Sequence, residues 1–274
     1  MALSPQRRAE LMELCREFRI EALTAIYKAQ SGHPGGSLSV CEILTLLYQE
    51  RMHVPSLDDP DRDRLLLCKG HAAPMLYAQL VHKGYLPASS MDSLRRVDSL
   101  LQGHPTNHIP GVDIPSGPLG IGLAAAQGMA MGLKLNASPA RVYAVLGDGE
   151  LDEGCVWEAV TSAVKYKLDN LCAVVDRNGV QLDGRTEDIM PLGDVPARWA
   201  ASGWHVIQCD GNDLDALDTA FSQAQEVKGR PSVIVAHTVK GKGVSFMEGQ
   251  YAWHGKTIDS ESYKKAMAEL GGTD

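Results

Sequence analysis

The chain has 274 residues, of which 44% are hydrophobic and 22% charged, with a formal net charge of −8. That length suffices to bury a full core, so residues 1–274 read as one large globular domain. The acidic balance argues against a general nucleic-acid or membrane-surface binder, since no basic excess exists to neutralise phosphates.

Six scattered cysteines (Cys15, Cys41, Cys68, Cys155, Cys172, Cys209) form no C-x-x-C pair, and several lie in apolar runs. Buried free thiols in a reducing cytoplasm are expected. No signal peptide and no bilayer-length apolar run is visible, which gives a cytoplasmic location and no membrane partner.

The first predicted element is a helix over residues 3–29, with Ser4 as N-cap, Pro5 in the first turn and a stripe of Leu11, Leu14, Cys15, Phe18, Ala22 and Ile26. The Arg7-Arg8 stretch also carries Glu10 and Glu13, as a solvated helix face does. Ser31-Gly32-His33-Pro34-Gly35-Gly36-Ser37 reads as a loop able to pass close to a ligand. A helix over 40–51, capped by Ser39, should follow it.

Residues 64–68 read as a strand, leading through Lys69-Gly70-His71 into a helix over 75–83. A long irregular segment then carries Gln102-Gly103-His104-Pro105 and ends near Ser116. Long loops in compact domains tend to be functional. Gly117-Pro118-Leu119-Gly120 opens a small-residue helix over 123–135, whose amino end could meet a phosphate.

The centre of the chain is a β-α-β unit: strands over 142–146 and 171–175, with a helix over 153–167 between them. Two more strands are expected over 204–209 and 232–237, joined by a helix over 214–227 capped by Asn212 or Asp213. A glycine-lysine loop (Lys240-Gly241-Lys242-Gly243), Trp253-His254-Gly255 and a last helix over 260–270 complete the chain. Five strands alternating with helices imply an α/β fold with a doubly wound, mainly parallel sheet. No internal repeat or linker interrupts it.

Both strands of the central unit end in polar residues, where open α/β sheets bind ligands. Gly147-Asp148-Gly149-Glu150 follows the first, and Asn178-Gly179-Val180 the second. Each motif alone also reads as a tight turn. Together they offer a carboxylate from Asp148, an amide oxygen from Asn178 and a backbone carbonyl from Val180. Three such oxygens suit octahedral Mg²⁺, with phosphate and water supplying the rest. The pair reads as a Mg²⁺-diphosphate clamp.

Four histidines sit in Gly/Pro-rich turns: His33, His71, His104 and His254. They lack zinc spacing. Neutral imidazoles there could pass protons or donate to anionic oxygens, as sugar or carbonyl chemistry requires.

Ser31-Gly32-His33-Pro34-Gly35, Lys69-Gly70-His71, Gly103-His104-Pro105, Gly117-Pro118-Leu119-Gly120, Gly147-Asp148-Gly149, Asn178 and His254-Gly255 resemble, in order and spacing, the amino-terminal, diphosphate-binding domain of transketolase. The likeness spans nearly the whole chain. It implies a thiamine-diphosphate-binding fold with thiamine diphosphate and Mg²⁺ as cofactors, Ca²⁺ or Mn²⁺ being possible substitutes.

By position it implies Asp148, Asn178 and Val180 as metal ligands. His33, near the reacting carbon, His104, on the donor hydroxyls, and His254, a proton shuttle, are the catalytic residues. His71, His254, Gly117, Leu119, Gly149, Glu150 and Asn178 are implied around the cofactor. Glu153 matches a carboxylate of a relay between two active sites, and equally reads as a favourable first-turn charge. Cys68 and Ile121 depart from residues frequent in the family, Ser and Gln.

The resemblance covers only the first of three transketolase domains. It therefore implies activity only with a separate carboxyl-terminal subunit carrying the pyrimidine-binding and carboxyl-terminal domains, in an α2β2 heterotetramer acting on sugar phosphates. Two alternatives remain at this stage. One is a subunit of another thiamine enzyme, of the 2-oxoacid dehydrogenase α or deoxyxylulose-phosphate synthase type. The other is a non-catalytic Mg²⁺-diphosphate-binding module.

Overall fold

Short runs rich in Leu, Val, Ile and Ala form five strands: β1 (Arg64–Leu67), β2 (Val142–Gly147), β3 (Leu171–Arg177), β4 (His205–Asp210) and β5 (Ser232–His237). They make one parallel sheet in the order β1-β2-β3-β5-β4. The computed structural model describes residues 3–272.

Side chains alternate between the two faces with the period of two that a strand imposes. Leu65, Leu67, Tyr143, Val145, Cys172, Val174 and Ile234 enter one apolar cluster. Leu66, Val142, Ala144, Leu146, Leu171, Ala173, Val175 and Val233 enter the other. Both faces are covered, which is why β2 is buried at every position. Each fully buried Val or Leu contributes roughly 1.5–3 kcal/mol.

On the first face lie α1 (Pro5–Ala29), α2 (Pro34–Ser39), α3 (Cys41–Leu46), α4 (Ala73–His82), and also a later helix, Leu214–Glu226. On the second lie α5 (Ile121–Leu135), α6 (Gly154–Lys165) and, beyond the single turn α7 (Thr186–Ile189), α8 (Val195–Ala201). The Leu214–Glu226 helix is α9, and α10 (Ser260–Leu270) packs on α1.

The expected caps form where their chemistry fits. Ser4 Oγ accepts from Arg7 N at 3.1 Å, and Asp213 Oδ1 accepts from Asp215 N and Ala216 N. Arg7 pairs with Glu10 and Glu50, and Arg8 with Asp215, on a solvated face.

Three local expectations need correction. The helix expected over 40–51 begins earlier, as α2, inside the Gly/Pro loop. Pro34 supplies a helical φ at the first position, and all six residues of α2 are buried, so packing outweighs glycine's poor propensity. Ser39 is not a cap; its Oγ donates to Asp176 Oδ2 at 2.6 Å and lies 3.2 Å from Gly36 O. The final turn, Leu47–Arg51, widens into a π-helix.

Helix α8 lies where no helix is expected, although Asp194 accepts from Ala197 N at 2.9 Å and Pro196 opens it. Helix α6 starts at Gly154, which leaves Glu153 at the N-cap without a side-chain capping bond. Among the described residues no helix is long and apolar enough to cross a membrane. Four cysteines are buried free thiols, and Cys155 and Cys209 are half-buried.

Candidate active site

The carboxyl ends of β1, β2, β3 and β5 aim Lys69, Asp148, Asp176 with Asn178, and Lys240 at one crevice. After β3 the chain moves to the outer edge as β4 and returns as β5 beside β3, and this reversal leaves a crevice at the carboxyl ends of β3 and β5. A cavity of about 170 Å³ there is lined by, among others, Lys69, His71, Leu119, Asp148, Gly149, Asn178, Val180, Lys240 and His254.

Asp176 is the hidden anchor. It is 0% exposed and pairs with Lys69 Nζ, itself buried. Ser39 Oγ and Thr238 Oγ1 also donate to it, and Asn178 Nδ2 donates to Asp176 Oδ1 at 3.3 Å. Burial works against the anion, but Lys69 and these donors outweigh it and hold the carboxyl below its ordinary range. Lys69 Nζ also donates to Gly36 O at 3.0 Å, which ties α2 to the strand ends.

Asp148 is 2% exposed. Its Oδ1 accepts from Gly149 N at 2.9 Å and its Oδ2 from Gly179 N at 2.6 Å, and Arg177 Nη1 lies 3.6 Å from Oδ2. Burial and the neighbouring Asp176 push its carboxyl up to about 6. Asn178 Oδ1 accepts from Val180 N at 3.2 Å. The Val180 carbonyl already accepts from a cation, Lys240 Nζ, at 3.2 Å.

This donor set fits a hard divalent cation: one carboxylate, one amide oxygen and one carbonyl on a single cavity wall, with room for phosphate oxygens. Among the described residues no group of three or more His, Cys, Asp or Glu could hold a metal. A cation here therefore has one charged protein ligand and needs an anionic ligand to complete its shell. Gln181 also lines this wall, with its Nε2 buried behind it and without a hydrogen-bond partner.

The four loop histidines converge. The His33 ring centroid lies 5.3 Å from that of His71, 5.5 Å from His254 and 6.1 Å from His104, and His71 and His254 are 5.0 Å apart. Burial, the Arg95 cation and the His104 ring push His33 down to about 4. Burial and Lys240 push His254 down to about 3. His71 and His104 are lowered mainly by burial, helped by Lys69 at His71 and Arg95 at His104.

All four rings are neutral at pH 7. Lys240 Nζ donates to His254 Nδ1 at 2.8 Å, so Nε2 carries the ring hydrogen. Burial and Lys69 lower Lys240 to about 8, which leaves it charged at neutral pH.

Gly117 lies against the His104 ring, and Leu119, 41% exposed, forms part of the cavity wall. Glu150 is buried and accepts from Gly120 N at 2.9 Å and Gly147 N at 3.2 Å, bracing the turns after β2 and before α5; burial pushes it up to about 7. Glu153 is exposed, next to Gly120 and apart from the cavity wall.

Sequence patterning alone assigns no role to Lys69, Asp176, Lys240 or Arg95. Lys69 and Lys240 stand in glycine-flanked turns at strand ends, which is a signal that could find them. Arg95 Nη1 donates to Ser31 Oγ, and its guanidinium fills the space over Gly103. Nothing local marks it.

Residues 11–274 match the family model described as transketolase, thiamine diphosphate binding domain. The chain belongs to the transketolase family. It is 41% identical over 268 residues to a 6-deoxy-6-sulfo-D-fructose transketolase subunit of Clostridium sp. (strain MSTE9), covering 97% of this chain and 98% of that one. It is 39% identical to an apulose-4-phosphate transketolase subunit of Phocaeicola vulgatus, covering 95% and 94%.

Against the full-length transketolase of Mus musculus, at 39% identity, the match covers 97% of this chain and 42% of the relative. The crystal structure of transketolase from Campylobacter jejuni superposes with a TM-score of 0.90 at 33% identity, over 96% of this chain and 43% of that one. The expected family and the α/β fold are thereby borne out. The chain spans the full length of subunit-type relatives and about two-fifths of the longer ones.

Proposed function

We propose that this chain is the diphosphate-binding subunit of a two-chain transketolase, moving a two-carbon ketol unit from a ketose phosphate to an aldose with thiamine diphosphate and Mg²⁺. The observation that carries this reading is the convergence of four neutral imidazoles beside Asp148, Asn178 and the Val180 carbonyl.

Asp148 Oδ, Asn178 Oδ1 and Val180 O would hold the metal, and Lys69, Lys240, His71 and His254 would face the diphosphate. Thiamine diphosphate, when bound, supplies a nucleophilic carbon that adds to carbonyls and accepts the electron pair of the broken carbon–carbon bond. The residues supply binding and proton handling.

A neutral imidazole offers one donor and one acceptor, so His33 and His104 can hydrogen-bond sugar hydroxyls and relay protons without building net charge. His254, with Nδ1 taken by Lys240, presents its Nε2–H as donor. Burial, helped by the Arg95 cation, lowers the pKa of both His33 and His104.

The remaining machinery, including the acid that activates the aminopyrimidine, would come from a separate polypeptide, in an assembly of two copies of each. The end-to-end match to two subunit-type relatives supports that arrangement. Co-expression with the partner followed by gel filtration tests it: the reading expects one complex of four chains, and a chain active without partner contradicts it.

A further inference from the structure

We propose that Arg95 is a positioning residue that clamps together the loops carrying His33 and His104, setting how the two imidazoles face the substrate. This rests on the transketolase reading above.

The two rings come from separate loops, yet their centroids lie 6.1 Å apart at an interplanar angle of 60°. Each packs over a glycine. A Cβ added at Gly255 would meet His33 Cδ2 at 3.7 Å, and one added at Gly117 would meet His104 Cγ at 3.6 Å. Arg95 joins the loops behind the rings. Its Nη1 donates to Ser31 Oγ, two residues before His33, and its guanidinium lies against Gly103, the residue before His104. A Cβ at Gly103 would fall 2.6 Å from Arg95 Cζ, although the Gly103 backbone is outside the left-handed region and would accept a side chain. The guanidinium, not the backbone, excludes one.

Arg95 is itself held in place. Its N–H donates to Leu101 O at 2.7 Å across a turn in which Arg95 has a φ of 61°. Ser93 Oγ and Ser99 Oγ meet at 2.8 Å within that turn, and Tyr77 Oη donates to Gln102 O at 2.8 Å, tying the loop to α4. A planar guanidinium can hydrogen-bond one loop while packing flat on the backbone of the other; the point charge of a lysine cannot do both. Arg95 is also the cation that the two histidines share. His33 faces Arg95, Lys69 and Lys240 and the rings of His71, His104 and His254, whereas His104 faces Arg95 and His33. Clamp and charge therefore both act on the pair, and substitution separates them.

The experiment measures ketol transfer between about pH 5 and 8, where imidazoles titrate, for wild type, R95K, R95M, G103A and G103A/R95M. Each is assayed in complex with the co-expressed partner, beside a calorimetric titration of thiamine diphosphate. The expected result is a kcat lower by about ten-fold or more in R95K, R95M and G103A, within the roughly 100-fold that a misplacement of about 1 Å can cost. Cofactor affinity should not change. The acid limb of the kcat profile should move to higher pH in R95M, which takes the cation away from both histidines, and stay in place in R95K. G103A/R95M should be no slower than R95M alone, because the alanine then has no guanidinium to displace.

Wild-type kcat in R95M, or full recovery of kcat in R95K, overturns the clamp. A cofactor affinity that falls along with kcat does so too, as does an acid limb that R95M leaves in place. Losses that multiply in G103A/R95M also overturn it, since the glycine and the guanidinium would then act independently. A wild-type complex that binds thiamine diphosphate but transfers no ketol unit overturns the transketolase reading itself, and the role of Arg95 with it.

Discussion

Lys69 and Asp176 form an ion pair with side chains 1% and 0% exposed, joining the carboxyl end of β1 to that of β3 across β2. Removing one partner strands a charge in the core. D176N or K69M should each cost about 3–5 kcal/mol in urea unfolding. The double replacement K69M/D176L should cost less than the sum of the two, since neither charge is then left alone.

The His104 ring lies 6.1 Å from His33 and is absent from the wall of the cavity lined by Asp148 and Asn178. H104A should lower donor turnover about 100-fold or more, in the range for a lost proton-handling group. Cofactor affinity should change little. Steady-state kinetics beside a cofactor titration checks this; equal losses in both would remove His104 from the substrate side.

His33 gives a pH prediction with a definite sign. Its folded pKa of about 4 lies below the ordinary 6.5, so between those values the unfolded chain binds the extra proton. Its contribution is complete above about pH 6.5 and is lost as pH falls toward 4. At full burial the shift corresponds to about 3 kcal/mol; the ring is partly solvated, so we expect about 1–2 kcal/mol. Comparing wild type with H33Q from pH 7 to pH 4.5 isolates it from Asp148 and Glu150, whose raised values act in the opposite direction. H33Q should lose less stability on acidification.

Metal and cofactor together should stabilise the folded chain by mass action, about 2.7 kcal/mol at a hundred-fold excess over Kd. D148A removes the one charged ligand proposed for the metal and should abolish the rise in melting temperature produced by Mg²⁺ plus thiamine diphosphate. Chelation should do the same to wild type. Thermal melts with and without chelator test both.

Much of this architecture is local and therefore legible in the amino-acid sequence. The five strands follow from apolar runs such as 142–146 and 171–175, and Asp148 and Asn178 from their position just past strand ends. Helix α2 is not legible, because Pro34-Gly35-Gly36 speaks for a loop and only burial of the whole segment keeps it helical. The Lys69–Asp176 pair spans 107 positions, and no periodicity links residues so distant. The histidines are visible one by one in their turns; their meeting at His33 depends on how the loops fold over the sheet. Arg95 reads as an ordinary loop residue, and only the placement of its side chain over Gly103 distinguishes it.

The most direct test of the central claim is ketol transfer from xylulose 5-phosphate to ribose 5-phosphate with thiamine diphosphate and Mg²⁺, run with this chain alone, with its partner alone and with both. The account predicts turnover only in the mixture, lost again in H33A and H104A. Turnover by this chain alone, or a mixture that binds the cofactor yet transfers no ketol unit from any ketose phosphate supplied, would contradict it.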